Sequence, residues 1–298
     1  MTRGACFLAV CGCGGIFAPV GADAGGDAAC NPVWVHSIAA PVDLALGDTT
    51  VFVTSASGSV SAVAKDTSAP KDVALDQASP AGVAVDTTNV YWSTLGDATL
   101  WSSPAAGGPI ASMWTFPAPP GRLAAWNGTV YATFDGGIVA VTSSGGVPFA
   151  TNGSPRDVTT DGSSVFWTDA ASGNVSAKPT AAGGLATPLA SSSAPERIAV
   201  DASRVYWSDP VAKTISSVSK LGGAVTTIAA SLDDPFGVAT DGTNVYWSER
   251  GAGRIAKAPA SGGATTVLCA GADHPAAVAV DGTAVYFLTS SALYRVAK

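Results

Sequence analysis

Pro235-Phe236-Gly237-Val238-Ala239-Thr240-Asp241-Gly242-Thr243-Asn244-Val245-Tyr246-Trp247-Ser248 is the stretch that decides the fold, because the chain repeats it seven times. Aligned on the proline, the copies start at Pro41, Pro80, Pro120, Pro155, Pro195, Pro235 and Pro275, spaced by 39, 40, 35, 40, 40 and 40 residues. Ten residues after each proline stands a valine: Val51, Val90, Val130, Val165, Val205, Val245 and Val285. The next residue is always aromatic, from Phe52 and Tyr91 to Tyr246 and Tyr286, and the one after it is Trp92, Trp167, Trp207 or Trp247 in four copies. Six residues after the proline stands Asp86, Asp161, Asp201, Asp241 or Asp281 in five copies.

Each copy parses into four short β runs separated by turns. In the Pro235 copy the runs are 237–240, 245–248, 254–258 and 265–269. Asp-Gly-Thr-Asn and the recurrent Gly-Gly pairs supply the turns, since Asp bonds its own turn backbone and Gly accepts positive φ. Four strands per roughly 40 residues, repeated, is the pattern of a β-propeller. A blade covers neither of its faces alone and buries both against its neighbours. The second run is therefore apolar at successive positions instead of alternating. The residue four after the proline is small (Ala45, Ala84, Ala124, Thr159, Ala199, Ala239, Ala279), which we read as crowding of the innermost strands at the axis. The last copy has room for three strands only, at 277–280, 285–289 and 293–297. The segment 33–39 precedes Pro41 as a fourth strand precedes every other repeat, so it is expected to complete the last blade and close the ring. The expectation is an all-β, single propeller of four-stranded blades over residues 33–298, with seven blades, six being the alternative. Pro70-Lys71-Asp72-Val73-Ala74 imitates a repeat start but lies ten residues before Pro80, and is read as a fourth strand.

Composition agrees with this reading. Charged residues make up 12%, about half the ~25% of an ordinary domain, and Gly 34 with Pro 19 punctuates many turns. The formal charge is −7 with no run of Lys or Arg, which excludes a phosphate-backbone partner. Residues 1–24 read as an export signal, with Arg3 ahead of an uncharged apolar stretch and Ala22-Asp23-Ala24 as the cleavage site. The rival reading is a lipoprotein signal ending at Cys11 or Cys13, which would add a lipid anchor. Residues 25–32 form a leader. Either way the protein is expected outside the cytoplasm, secreted or anchored in a bacterial envelope, and monomeric. Of five cysteines, Cys30 and Cys269 remain after cleavage at Ala24, and export allows a disulfide between them.

Val205-Tyr206-Trp207-Ser208-Asp209, Val165-Phe166-Trp167-Thr168-Asp169 and Val245-Tyr246-Trp247-Ser248-Glu249 resemble the YWTD motif of low-density-lipoprotein-receptor-type propellers. Gly82-Val83-Ala84-Val85-Asp86 is similar to the opening of NHL-type repeats, and the whole pattern to TolB-like propellers. The resemblance covers residues 41–298. It implies a structural role for Asp169 and Asp209, which in YWTD blades tie neighbouring blades together. YWTD propellers usually have six blades, whereas seven repeats are counted here, and the first three carry Ser55, Thr94 and Phe134 in place of the acid.

Chemistry is sparse. There are two histidines, His36 and His274, and no zinc, redox or phosphate-loop motif. The repeated Asp-Gly-Thr-Asn turn lacks the acidic spacing of a calcium loop, so Asp86, Asp161, Asp201, Asp241 and Asp281 are read as structural, as are the repeated Trp residues. The loops entering each innermost strand differ between repeats and carry much of the scarce charge. Arg122, Arg156, Asp157, Glu196, Arg197, Asp234, Phe236 and His274 are the candidate rim of a channel mouth, with Asp43, Asp233 and Asp273 nearby. His274 is the one candidate general base. No cofactor is called for. The leading expectation is a non-enzymatic binding propeller presenting rigid loops to a protein, peptide or glycan. The alternative is a lactonase- or streptogramin-lyase-type enzyme with a divalent metal at the channel mouth, which needs His274 and at least two carboxylates to converge there.

Overall fold

The structure, a computed structural model, describes residues 33–66 and 70–298. The expected signal 1–24, the leader and Cys30 lie outside the described residues. Every regular element among the described residues is a strand, and the strands form seven four-stranded antiparallel sheets. Blade 1 runs from the strand Pro41–Leu46 through Thr50–Ser55 and Ser59–Ala64 to Lys71–Ala74, so the imitation repeat at Pro70 is indeed a fourth strand. Blades 2 to 6 open with Pro80–Val85, Pro120–Trp126, Pro155–Thr160, Ile198–Val200 and Pro235–Thr240. Blade 7 contains Val278–Val280, Ala284–Leu288 and Ala292–Ala297, and its fourth strand is the N-terminal Val33–Ser37. Val33 faces Arg295 and Ser37 faces Ala292, so the two chain ends share one sheet. The innermost strands of blades 7 and 1 are neighbours, which closes a ring of seven.

The core is not one cluster but seven, one per blade interface. The two faces of the second strand explain this, since successive side chains of a strand point to opposite sides. At the interface of blades 5 and 6, Tyr206 of one packs with Val245 and Trp247 of the next. At 4 and 5, Phe166 meets Val205 and Trp207. At 1 and 2, Phe52 meets Val90 and Trp92. Each Val and Trp thus faces the preceding blade, and each intervening aromatic faces the following one. The small residues four after the proline belong to the same clusters: Ala84 lies with Tyr91 and Leu123, and Ala45 with Phe52 and Val83. Their contacts are with the adjoining inner strand, and Thr159 of this set lines the axial cavity.

Five of the seven inner strands begin on proline, because the first position needs no ladder donor, and those of blades 5 and 7 begin three residues after theirs. In blades 1 to 4 and 6 the pairing slips by a bulge just after it, as between Pro41 and Asp43 or Pro155 and Asp157. A bulge re-aims side chains at the strand entrance, and that is where the charged residues lie.

Candidate functional site

The position two residues after the proline carries Asp43, Gly82, Arg122, Asp157, Arg197, Gly237 and Ala277 around the ring. All seven inner strands line an axial cavity of about 140 Å³, and Asp43, Asp157 and Arg197 are on its wall. Arg122 Nη1 lies 2.5 Å from Asp43 Oδ1, and Arg197 Nη1 lies 4.0 Å from Asp157 Oδ1. Both carboxylates also bind backbone of the following blade. Asp43 Oδ2 accepts the Val83 N–H at 3.2 Å, and Asp157 Oδ2 accepts the Ile198 N–H at 3.0 Å. Gly82 is obligatory between them: a Cβ there would overlap the Gly121 carbonyl oxygen. Burial pushes the Asp157 carboxyl up to about 7, and the Asp43 charge adds to the rise, while Arg122 and the Ile198 and Val158 N–H groups pull it down. Arg197 Nε is buried with no hydrogen-bond partner among the described residues.

The remaining rim candidates lie outward of this network. Phe236 is half-buried, with the Arg197 guanidinium 4.6 Å and the Arg250 guanidinium 3.9 Å from its ring centre. Arg250 is held on Asp234 by a two-pronged pair at 2.9 and 3.1 Å. Arg156 is exposed. Glu196 acts through its backbone, its carbonyl accepting the Thr168 hydroxyl at 2.8 Å. His274 Nδ1 lies 2.8 Å from Asp273 Oδ1, and Asp273 Oδ2 accepts the Ser290 hydroxyl. These hydrogen bonds, Ser290 first, hold the Asp273 carboxyl below its ordinary value. The His274 and Asp273 side chains are 77% and 64% exposed. His274 has φ of 45°, but Ala40, Ser79 and Asp234 share that left-handed conformation before their own prolines. The strain therefore belongs to the turn and not to chemistry at the histidine. Among the described residues, no three His, Cys, Asp or Glu side chains are grouped to hold a metal ion.

Two sets of residues fix the loops around this mouth. Asp209 is fully buried. Its Oδ1 accepts the Val211 and Ala212 N–H groups, and its Oδ2 accepts Ser193 N–H, Ala194 N–H and the Ser192 hydroxyl from the segment arriving from blade 4. These bonds hold its carboxyl below the ordinary range against the upward push of burial. Asp169 and Glu249 do the same in their blades, bonding the Ser154 and Asp233 N–H groups. The second set was not singled out in the sequence. The residue after the repeated Trp position is Thr54, Ser93, Thr133, Thr168, Ser208, Ser248 and then Leu288. The Ser208 hydroxyl accepts the Arg197 N–H at 3.2 Å and donates to the Phe236 carbonyl of the next blade at 2.6 Å. Thr54, Ser93, Thr168 and Ser248 donate in the same way to Ala81, Gly121, Glu196 and Ala276. Periodicity alone was signal enough to find them. Cys269 is buried and disulfide-bonded, while its expected partner Cys30 lies outside the described residues.

No family model matches the chain, and no curated protein matches it. Solved structures do. A streptogramin B lyase superposes with a TM-score of 0.75 at 15% identity, over 87% of this chain and 93% of that one. The virginiamycin B lyase of Staphylococcus aureus gives 0.73 at 16%, over 86% and 94%. A chain of a nidogen/laminin complex gives 0.52 at 18%, over 78% and 82%. What this chain shares with them is the β-propeller fold.

Proposed function

We propose that the protein is an extracytoplasmic binding propeller that offers its entry-loop face to a protein, peptide or glycan, and does no chemistry there. The observation that carries this reading is the state of the axis. Small-molecule sites usually occupy about 300–1,000 Å³, whereas the axial cavity is about 140 Å³, with the Asp43 charge spent on Arg122. What the face presents instead is a set of pinned loops, on which Phe236, the Asp234–Arg250 pair, Arg156 and His274 differ from blade to blade. Aromatic and arginine side chains on a rigid scaffold are the usual anchors of protein recognition.

The lyase reading draws on the two lyase folds above. It requires His274 among convergent carboxylates, and His274 is on the outer surface with Asp273 as its one paired acid. The test is a screen of the full chain against immobilised glycans and peptides, with Phe236→Ala and Arg250→Ala as probes. A ligand whose capture falls about tenfold in either variant supports the binding reading, since each removes a contact of roughly 1–2 kcal/mol. Turnover of a lactone or cyclic depsipeptide that is lost in His274→Ala would overturn it in favour of the lyase.

A further inference from the structure

The repeated aspartates lie at the exit end of the inner strands, on the face opposite the entry loops, and they do more than shape a turn. In each, Oδ1 accepts two backbone N–H groups of its own turn: Thr243 and Asn244 for Asp241, Ser203 and Arg204 for Asp201. Oδ2 reaches the blade interface. There, the residue that directly follows the third strand of the next blade comes to meet it. That residue is Lys220 for Asp161, at 2.8 Å, Lys298 for Asp241, at 2.6 Å, and Lys65 for Asp281, at 3.1 Å. Each ammonium also sits over the aromatic ring of the repeat that owns the aspartate: Lys220 over Phe166 at 5.7 Å, Lys298 over Tyr246 at 6.0 Å, and Lys65 over Tyr286 at 5.7 Å. The aspartate and the ring together form an ammonium seat, used three times.

A lysine meets three of the five aspartates; Asp86 and Asp201 have none. Blades 1 and 3 have Gly47 and Trp126 in place of the aspartate, and the facing residues are Ala105 and Thr180. Asp86 faces Ser143, and its Oδ2 takes the Gly128 N–H at 2.8 Å instead. Asp201 of blade 5 has the carboxylate and the ring, with the Tyr206 hydroxyl donating to Oδ2 at 2.7 Å. The facing residue is Ala260, and no lysine or arginine side-chain nitrogen pairs with Asp201 among the described residues. Where the sibling interfaces hold a lysine, this one has Ala260, beside an open cavity of about 380 Å³ lined by Asp201, Tyr206 and the hydroxyl residues Ser203, Thr226 and Ser261; the Asp281 interface keeps an open cavity of about 480 Å³ beside its Lys65. Arg204 borders the same cavity but is committed to the Ser217 and Thr226 hydroxyls, at 2.9 to 3.1 Å.

We propose that this cavity between blades 5 and 6 binds a primary ammonium group on an alkyl stem, supplied from outside the chain, in the seat that Lys220, Lys298 and Lys65 fill elsewhere. The carboxylate neutralises the charge, and the hydroxyls, that of Tyr206 included, accept the remaining N–H donors. Two sources share this chemistry, a free alkylamine and a lysine side chain of a partner protein. The site is independent of the entry-face reading, since it lies at the other end of the strands.

The test is an amide NMR titration of the full chain with n-butylammonium and, in parallel, with lysine blocked at both ends, using n-butanol as the uncharged control. Saturable shifts are expected at Ser203, Thr226, Gly242 and Ser261 with both ammonium probes and not with butanol. Asp201→Asn is expected to weaken binding about tenfold or more, the loss of one charge-assisted bond. Ala260→Lys gives this interface the sibling's own lysine, so it should fold, melt higher than the parent and no longer bind either probe. Tighter binding of the blocked lysine identifies a partner's side chain as the occupant, and tighter binding of butylammonium identifies a small amine. Shifts that do not saturate, or that survive both Asp201→Asn and Ala260→Lys, overturn the proposal.

Discussion

Ser208→Ala isolates the hydroxyl that joins blade 5 to blade 6. Ser208 is fully buried. Its hydroxyl accepts the Arg197 N–H at 3.2 Å and donates to the Phe236 carbonyl at 2.6 Å, so removing it strands one donor and one acceptor. A buried polar group left unpaired costs about 1–3 kcal/mol, and the volume lost is a single atom, so the expected destabilisation is about 2–4 kcal/mol. For a domain of this size that is a fall in melting temperature of about 5–12 °C. Thermal melts and urea denaturation of the parent, Ser208→Ala and Ser208→Thr measure it. Threonine occupies the same repeat position in blades 1, 3 and 4, so Ser208→Thr should keep most of the stability. If Ser208→Ala melts within about 1 °C of the parent, the hydroxyl is not a staple and the argument fails. A threonine variant as damaged as the alanine one would refute it equally, since the loss would then not be the hydroxyl.

Three further outcomes are expected. The folded chain holds the Asp157 proton with a pKa of about 7 against 3.8 unfolded, so it binds more protons than the unfolded chain between those values. Stability should therefore fall as pH rises from about 4 to 7, by at most about 1.4 kcal/mol per pH unit from this group, and Asp157→Asn should remove that slope in urea midpoints. Asp86 and Asp161 are held down at about 2 despite the upward push of burial, Asp86 by the Asn89, Thr88 and Gly128 N–H groups and Asp161 by Lys220 and its turn N–H groups, and they act in the opposite sense. Their contribution is present above about pH 4 and disappears as pH falls toward 2. Deleting residues 33–38 unpairs the strand Ala292–Ala297 and exposes the partners of buried Val35 and Ile38. A loss of about 3 kcal/mol or more is expected from those two side chains alone, and a truncated chain that melts with the parent would contradict ring closure. Non-reducing peptide mapping is expected to join Cys269 to Cys30, and Cys30→Ser to abolish that cross-link; a different partner for Cys269 would correct the expectation.

Most of the fold was legible because a propeller repeats its instructions. The Val-aromatic-Trp run at 245–247 has both faces buried, as a blade between two blades asks of its second strand. The closure at Val33–Ser37 was legible for the same reason, as a fourth strand without a repeat of its own. The site was legible only in outline. The charged entry positions stood out in a chain so poor in charge, and one step of strand register, two residues after the proline against one, separates Arg122 and Arg197, which turn into the axis, from Arg156, which is exposed. Which carboxylate each arginine then meets, Asp43 for Arg122 and Asp157 for Arg197, is a property of how the strands pack. Gly, Pro, Val and Trp periodicity carries backbone geometry, and such geometry is set within one blade.

The amino-acid sequence alone therefore determined the blade, its repeat count and the strand that closes the ring, because strand period, turn residues and two-faced burial are local demands. Only the tertiary structure decided which charges cancel across the axis, which hydroxyls join successive blades and which aspartate lacks its lysine. Each of those is a meeting of groups from different blades, 27 or more residues apart in sequence, as the Thr54 hydroxyl is from the Ala81 carbonyl, Arg122 from Asp43 and Lys65 from Asp281. Whether two such groups meet depends on how neighbouring blades are set against each other, and no single repeat encodes that.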